Sequence, residues 1–485
     1  NDARNLTLLM DFYELTMAAG YFEEGYTDKV GVFDMFFRKI PDGGGFAIAA
    51  GLEQFCEVVD NLHFSEEDIE YLRGKGCFCE GFLDYLKDFR FTGDMWAVPE
   101  GTPIFPGEPI LTVRAPALQA QLIETYLLLT INHQSLIATK ASRIVRAAEG
   151  RVVLEFGSRR AQGGDGAVVG ARAAYIGGAH GTACTLSDAL YGVPAGGTMA
   201  HSWVQMFDSE YDAFRKYCRI YPDSPTLLVD TYDTLRSAIP NAIRVFQEMG
   251  IQKCAIRLDS GDLAFLSRRA RTMLDQAGLT ECRITVSNAL DEWLIRDLLL
   301  QGACIDGFGV GEKLITASSE PVFGGVYKLA AVEDDQGRIQ PKIKVSENAE
   351  KITNPHFKKV YRLYSNTSGK AVADYIRVHD EVVDPSKPLE LFDPQATWKR
   401  KTVRDFRLRE LLAPVFQGGE LVYDLPSLEQ IRTYCLQEQE TLWDEVKRFE
   451  NPHRYYVDLS RKLWEIKQEL LHQAADKERD RNKEA

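Results

Sequence analysis

Between residues 150 and 310 the chain repeats one pattern. A short β-branched or apolar run ends in a polar, glycine-bearing turn, and a helical stretch usually follows. The runs are 152–156, 193–198, 226–230, 254–258, 283–287 and 305–310, with helical stretches such as 234–249 and 263–277 between them. Strand–helix alternation predicts parallel strands joined by crossovers. Near-continuous apolar strands predict a sheet covered on both faces. Six or seven such units predict an irregular parallel α/β barrel rather than an open sheet.

The rest of the chain reads differently. Leu8, Phe12, Leu15 and Ala19 recur at spacings of three and four, which predicts an amphipathic helix over 5–25, ended by Gly25. Residues 93–116 hold short apolar runs broken by Pro and Gly, which predicts short strands and turns. Helix is predicted over 118–149. Residues 325–382 read as β-rich and then loop-like, and the remainder as helical, with a stripe of Leu459, Leu463, Ile466 and Leu470. The expected organisation is an N-terminal α/β domain over 1–135 completed by C-terminal segments. A barrel with the active site follows over 136–335, then a β-rich and helical region over 336–485.

Composition narrows the class. A chain of 485 residues exceeds one core. The net charge of −14 argues against nucleic acid as a partner, because a phosphate backbone needs a basic footprint. It leaves small anions open, since a local basic pocket can hold them. The nine cysteines include no CxxC pair, which predicts free thiols in a reducing, cytoplasmic setting. The longest apolar stretch, 122–131, contains Glu124 and is too short to span a bilayer, so no membrane is expected.

In parallel α/β proteins the chemistry sits at the C-terminal ends of the strands. The first run leads into "EFGSRRAQG", with Arg159 and Arg160. The second gives "GGTMAHSWV", with His201 and Ser202, and the third "LVDTYD", with Asp230 and Asp233. The fourth gives "RLDSGD", with Arg257, Asp259 and Asp262, and the fifth "SNALDE", with Asn288. The sixth gives "GFGVGEKLIT", with Gly307, Gly309, Gly311 and Lys313. Arginines bind phosphate as a fork. A glycine-rich loop lets backbone N–H groups approach phosphate. Clustered aspartates suit Mg²⁺, which bridges to substrate phosphates. The composite points to a phosphorylated sugar, Mg²⁺ and a separate acceptor. Each signal alone has a bland alternative: a solvated arginine pair, a tight glycine turn, a core histidine, a structural Arg257–Asp259 ion pair. Their joint occurrence after successive strands favours a site. A barrel lyase or isomerase is less favoured, because no lysine at a strand end is placed for a Schiff base.

The runs "DFYELTMAAGYF", "EFGSRRAQG", "GGTMAHSWV", "RLDSGDL", "FGVGEKLIT" and "FGGVYKL", in this order from about residue 8 to 330, resemble the nicotinate phosphoribosyltransferase family of type II phosphoribosyltransferases. The resemblance implies an irregular α/β barrel, an α/β domain built from both chain ends, and a homodimer with active sites at the interface. It implies that nicotinate and phosphoribosyl pyrophosphate give nicotinate mononucleotide and pyrophosphate, the first step of NAD salvage from nicotinate. That reaction would be coupled to ATP hydrolysis with Mg²⁺ as cofactor. It assigns His201 as the histidine phosphorylated by ATP, and Arg257 and Asp259 to the pyridine ring and ribose. Phe156 would stack on the ring, and Tyr13 would reach the neighbouring subunit's site. Arg159 and Arg160 would contact pyrophosphate, Gly309 and Gly311 the 5′-phosphate, Ser202 and Asp230 the substrates, and Asp230 with Asp259 the metal. One departure stands out: where many relatives carry Thr after the last loop glycine, this chain has Glu312.

Overall fold

The computed structural model describes residues 5–348 and 351–484. The chain divides into two compact units, Leu136–Pro321 and the combination of Asn1–Ser135 with Val322–Ala485.

The Leu136–Pro321 unit is built on a six-stranded sheet in which every pairing is parallel. The hydrogen-bonded order is Gly181–Thr182, Val152–Glu155, Gly307–Val310, Arg283–Ser287, Ala255–Leu258 and Thr226–Leu228. Register places Ile256 beside Ile284, and Leu258 beside Val286 beside Phe308. All five are fully buried, each contributing about 1.5–3 kcal/mol of transfer free energy. The intervening positions make the opposite rows: Arg257 beside Thr285 beside Gly307, and Ser287 beside Gly309. Side chains alternate across a strand. One face is therefore continuous apolar core, and the other carries an arginine, hydroxyls and glycines.

The first strand of this unit, Val152–Glu155, lies beside its last, Gly307–Val310. From Thr226 onward, successive strands are neighbours. This is the cyclic order of a barrel, but the ring is not closed: among the described residues no ladder joins Thr226–Leu228 to the 193–198 run. That run was expected to be a strand. It makes one isolated parallel bridge, Thr182 to Ala195. Pro194 supplies no N–H, and Gly196 and Gly197 have no side chain to pack, so the run passes as a loop. The expected helix over 234–249 is a π turn, Thr234–Ala238, continued by the α-helix Ile239–Glu248 with Pro240 in its first turn.

The other unit carries a seven-stranded antiparallel sheet. Its central strands are Val326–Glu333, Val30–Phe36, Leu111–Pro116 and Asp94–Ala97. A four-stranded sheet combines Phe406–Glu410, Lys358–Ser365, Ala371–Val378 and Val457–Leu459. The strands Leu389–Phe392, Arg400–Val403, Phe406–Glu410 and Ala413–Gln417 correct the expectation that this stretch is helical. All four are short, and Arg400–Val403 and Phe406–Glu410 are charge-rich, so period-two alternation is hidden. Beyond Gln417, the helices among the described residues are Leu428–Thr441 and Arg461–Glu484. The first helix is Phe12–Glu23, shorter than expected. Leu15, Ala18 and Ala19 are its buried face, whereas Phe12 is 47% exposed. Fully buried Arg362 is held by both oxygens of Asp374 at 2.8 and 2.7 Å, which satisfies a charge that would otherwise be prohibitive there. No helix among the described residues is long and apolar enough to cross a membrane.

Candidate active site

The strand ends of the parallel sheet bring five of the expected residues, Arg257, Asp259, Asp230, His201 and Phe156, around one network centred on Arg257. Its Nε donates to Ser287 Oγ at 2.9 Å, Nη1 to Thr198 Oγ1 at 3.0 Å and to the Met199 carbonyl at 3.4 Å, and Nη2 to Asp259 Oδ1 at 3.2 Å. Ser287 Oγ also donates to Asp259 Oδ1. Arg257 and Asp259 are two residues apart at a strand end, so both point the same way. The guanidinium carbon lies 5.7 Å from the centre of the Phe156 ring. Four bonds fix the planar fork, and its side chain stays only 15% exposed.

Asp230 sits behind this arginine. Its Oδ2 accepts from the Asp259 N–H at 2.9 Å and from Ser260 Oγ at 2.5 Å. Its Oδ1 is buried with no hydrogen-bond donor among the described residues. Such an orphan acceptor costs roughly 1–3 kcal/mol unless something else meets it. His201 faces it, with Nε2 4.0 Å from Asp230 Oδ1 and 3.8 Å from Asp259 Oδ2. His201 Nδ1 meets Thr231 Oγ1 at 3.2 Å. His201 follows the loop of the 193–198 run and Thr231 follows the Thr226–Leu228 strand. The histidine thus bridges the place where the sheet is open.

Phe156 continues the first strand, its N–H bonded to the Val310 carbonyl at 2.7 Å. Gly309 makes room for it: a Cβ there would lie 2.5 Å from the ring. A Cβ on Gly311 would lie 3.2 Å from the Phe156 carbonyl oxygen. Both glycines therefore let the 307–311 segment and the Phe156 turn run against each other. Arg159 and Arg160 stand exposed on the 3₁₀ turn Ser158–Arg160. Arg160 Nε lies 3.8 Å from Glu312 Oε2, so Glu312 faces the arginine turn. Just below, the Glu155 carboxylate accepts from Thr182 Oγ1 at 2.6 Å and from the Gly157 N–H. Burial raises its pKa, with those two hydrogen bonds opposing.

Other flagged residues do different work. Asp233 and Asp262 cap helices, accepting from the N–H groups of Arg236 and Phe265 at 2.8 Å each. Lys313 is paired with Asp291 at 2.6 Å. Ser202 is exposed beside His201. Tyr13 belongs to the other unit, on the exposed side of Phe12–Glu23, where partial burial and then Glu124 raise its hydroxyl pKa. Asn288 and Ala289, after the fifth strand, both adopt positive φ, at 100° and 45°. Two successive non-glycine residues there mark local strain at a strand end. Thr198, Thr231, Ser287 and Glu155 were not singled out from sequence. Ser287 immediately precedes Asn288, and Thr198 lies in the same stretch "GGTMAHSWV" as His201, but a hydroxyl carries no signal of its own. No cluster of three or more His, Cys, Asp or Glu side chains suited to a metal occurs among the described residues.

Comparison with known proteins adds the family. Residues 8–132 match the nicotinate phosphoribosyltransferase N-terminal domain, and residues 357–467 the C-terminal domain. The chain is 44% identical over 471 residues to a nicotinate phosphoribosyltransferase of Bacillus subtilis, covering 97% of this chain and 96% of that protein. It is 32% identical to the bovine (Bos taurus) nicotinate phosphoribosyltransferase over 94% of this chain and 95% of that one. The crystal structure of human nicotinic acid phosphoribosyltransferase superposes with a TM-score of 0.84 at 29% identity, covering 95% of this chain and 99% of that one. The chain belongs to the nicotinate phosphoribosyltransferase family.

Proposed function

We propose that this chain joins nicotinate to the ribose of phosphoribosyl pyrophosphate, releasing pyrophosphate and nicotinate mononucleotide, as the first step of NAD salvage from nicotinate. We propose further that the reaction is coupled to ATP hydrolysis through His201. The observation that carries this reading is the fixed guanidinium of Arg257 beside the Phe156 ring. One Nη2 hydrogen is left over after its four bonds, the donor a pyridine carboxylate requires. An arginine there also favours nicotinate over the uncharged nicotinamide.

Transfer begins as the bond from ribose C1 to pyrophosphate loosens, and positive charge builds on the sugar. Asp259 Oδ2, 3.8 Å from His201 Nε2, is placed to stabilise that charge. The pyridine nitrogen attacks C1 with its own lone pair, so no base is needed. Positioning is the remaining requirement, and a stack on Phe156 contributes roughly 0.5–1.5 kcal/mol to it. Exposed Arg159 and Arg160 receive the departing pyrophosphate, and the backbone of Gly309 and Gly311 the 5′-phosphate.

Asp230 and Asp259 fit Mg²⁺. They would hold it through the orphaned, buried Asp230 Oδ1 and the Asp259 carboxylate, hard oxygen donors of the kind this ion takes. When bound, Mg²⁺ would neutralise charge on pyrophosphate. With Nδ1–H donated to Thr231, His201 keeps a lone pair on Nε2. Nε2 then attacks the terminal phosphorus of ATP, a nitrogen–phosphorus bond forms, and ADP leaves. Water later cleaves that bond. Tyr13, exposed on its helix, would reach the neighbouring subunit of a homodimer, and the acidic, disulfide-free chain would work in the cytoplasm.

Incubation with γ-labelled ATP tests the coupling. Acid-labile phosphate should appear on His201. His201→Ala should stop ATP hydrolysis while slow nucleotide synthesis persists. A stable variant that hydrolyses ATP in step with synthesis contradicts the role.

A further inference from the structure

The unit formed by the two chain ends contains a cavity of about 730 Å³ with its own cluster of cations. Five cationic side chains line it, Arg38, Lys328, Lys358, Arg454 and Lys467, against two carboxylates, Asp34 and Asp393. In a chain of net charge −14 this local excess is the reverse of the average surface. Lys358 is spoken for: it is fully buried, 2.6 Å from Asp34, and donates to the carbonyls of Asn354, Pro355 and His356. Lys328 approaches Glu124 at 3.7 Å. Arg38, Arg454 and Lys467 differ, since none of them has a carboxylate in ion-pair range among the described residues. Arg38 Nε is also buried without an acceptor.

Lys467 is the informative one. It is half-buried, and among the described residues its hydrogen bond goes to the neutral Asn354 Oδ1 at 2.8 Å. Burial, and then the Lys358 charge, lower its pKa to about 8. A folded chain does not ordinarily hold a half-buried ammonium without a counter-charge, because desolvation is uncompensated. The rest of the lining is mostly apolar, with Ile352, Ile376, Leu459 and Trp464 among it, beside the polar Thr353, Asn354, Gln395 and Gln468. The volume falls within the range of small-ligand sites, roughly 300–1,000 Å³.

We propose that this cavity is a second ligand site, for an organic phosphate of mononucleotide size. Arg38, Arg454 and Lys467 bind the phosphate there, and the apolar wall receives the rest of the molecule.

Adenosine 5′-monophosphate is a suitable probe, because it is neither substrate nor product of the proposed reaction. Calorimetric titration of the full chain should show one saturable site per chain. Lys467→Gln and Arg454→Gln should each weaken it about tenfold to a hundredfold, the loss expected for one charge-assisted contact. Lys467→Arg should retain binding. Arg454 is exposed, so its variant leaves folding intact. Nucleotide synthesis without the probe should be unchanged in all three variants. Binding should also persist in Arg257→Ala, which separates this site from the strand-end network. The proposal is overturned if the wild-type chain does not bind the probe, or if the glutamine variants bind it normally. Loss of binding in Arg257→Ala alone would equally overturn it, by placing the probe at the strand ends.

Discussion

Arg257→Ala and Arg257→Lys separate charge from geometry at the ring site. The alanine variant removes four hydrogen bonds and the leftover donor. A charge-assisted contact to a ligand carboxylate in a sheltered site is worth about 1.5–3 kcal/mol, or tenfold to a hundredfold in affinity. Nicotinate binding should fall by that factor. Phosphoribosyl pyrophosphate binding should change about threefold or less, because Asp259 keeps its Ser287 partner and its Asp230 anchor. Lysine restores the charge but not the fork: one ammonium cannot satisfy Ser287, Thr198 and Asp259 together. It should recover only part of the affinity. The assay is separate titration of each substrate, with a thermal melt to confirm folding. Unchanged nicotinate affinity in a folded alanine variant, or equal losses for both substrates, would refute the assignment.

Glu312→Thr removes a carboxylate 3.8 Å from Arg160; both groups are mostly exposed, so the pair itself is weak. The KM for phosphoribosyl pyrophosphate should fall a few-fold with kcat unchanged, and a rise would show that Glu312 helps the site. Burial raises the Glu14 carboxyl from 4.5 to about 7 against its bonds to Thr125. Its protonated form is favoured in the folded state. That contribution is complete below about pH 4.5 and is lost as pH rises through about 7, by up to roughly 3 kcal/mol. Asp458, also raised to about 7 by burial, adds a slope of the same sign. Denaturant melts of Glu14→Gln should therefore show a shallower decline between pH 5 and 7, and an unaltered profile would contradict the shift. Mixing Tyr13→Ala with Asp259→Ala chains should restore part of the activity, since one site per heterodimer would be intact. Confirmed heterodimers without recovery would remove Tyr13 from a shared site.

The turns that carry chemistry were legible because each follows a run with strand character, and position at a strand end implies a common mouth. Arg257, Asp259, Asp230 and His201 were reached that way and do lie together. Their supports were not legible: Ser287 and Thr198 come from 30 and 59 residues away, and hydroxyls have no pattern of their own. The 193–198 run misled because Val193 and Thr198 flank a Pro and two glycines that cannot hold a ladder. Its failure to pair leaves the sheet open where His201 bridges to Thr231. The strands between 389 and 417 were missed because all are only four or five residues long, and exposed charges interrupt the apolar alternation of Arg400–Val403 and Phe406–Glu410. The cavity around Lys467 was invisible in sequence, since Arg38, Lys328 and Arg454 meet there from distant segments.

The most direct test of the central claim is a competition. The purified chain is given phosphoribosyl pyrophosphate, Mg²⁺ and ATP with equimolar nicotinate, nicotinamide and quinolinate, and the nucleotides formed are read by mass. The network around Arg257 predicts nicotinate mononucleotide as the dominant product, strongly reduced in Arg257→Ala. Dominant nicotinamide mononucleotide, nucleotide made from quinolinate, or no nucleotide from a folded chain would contradict the account.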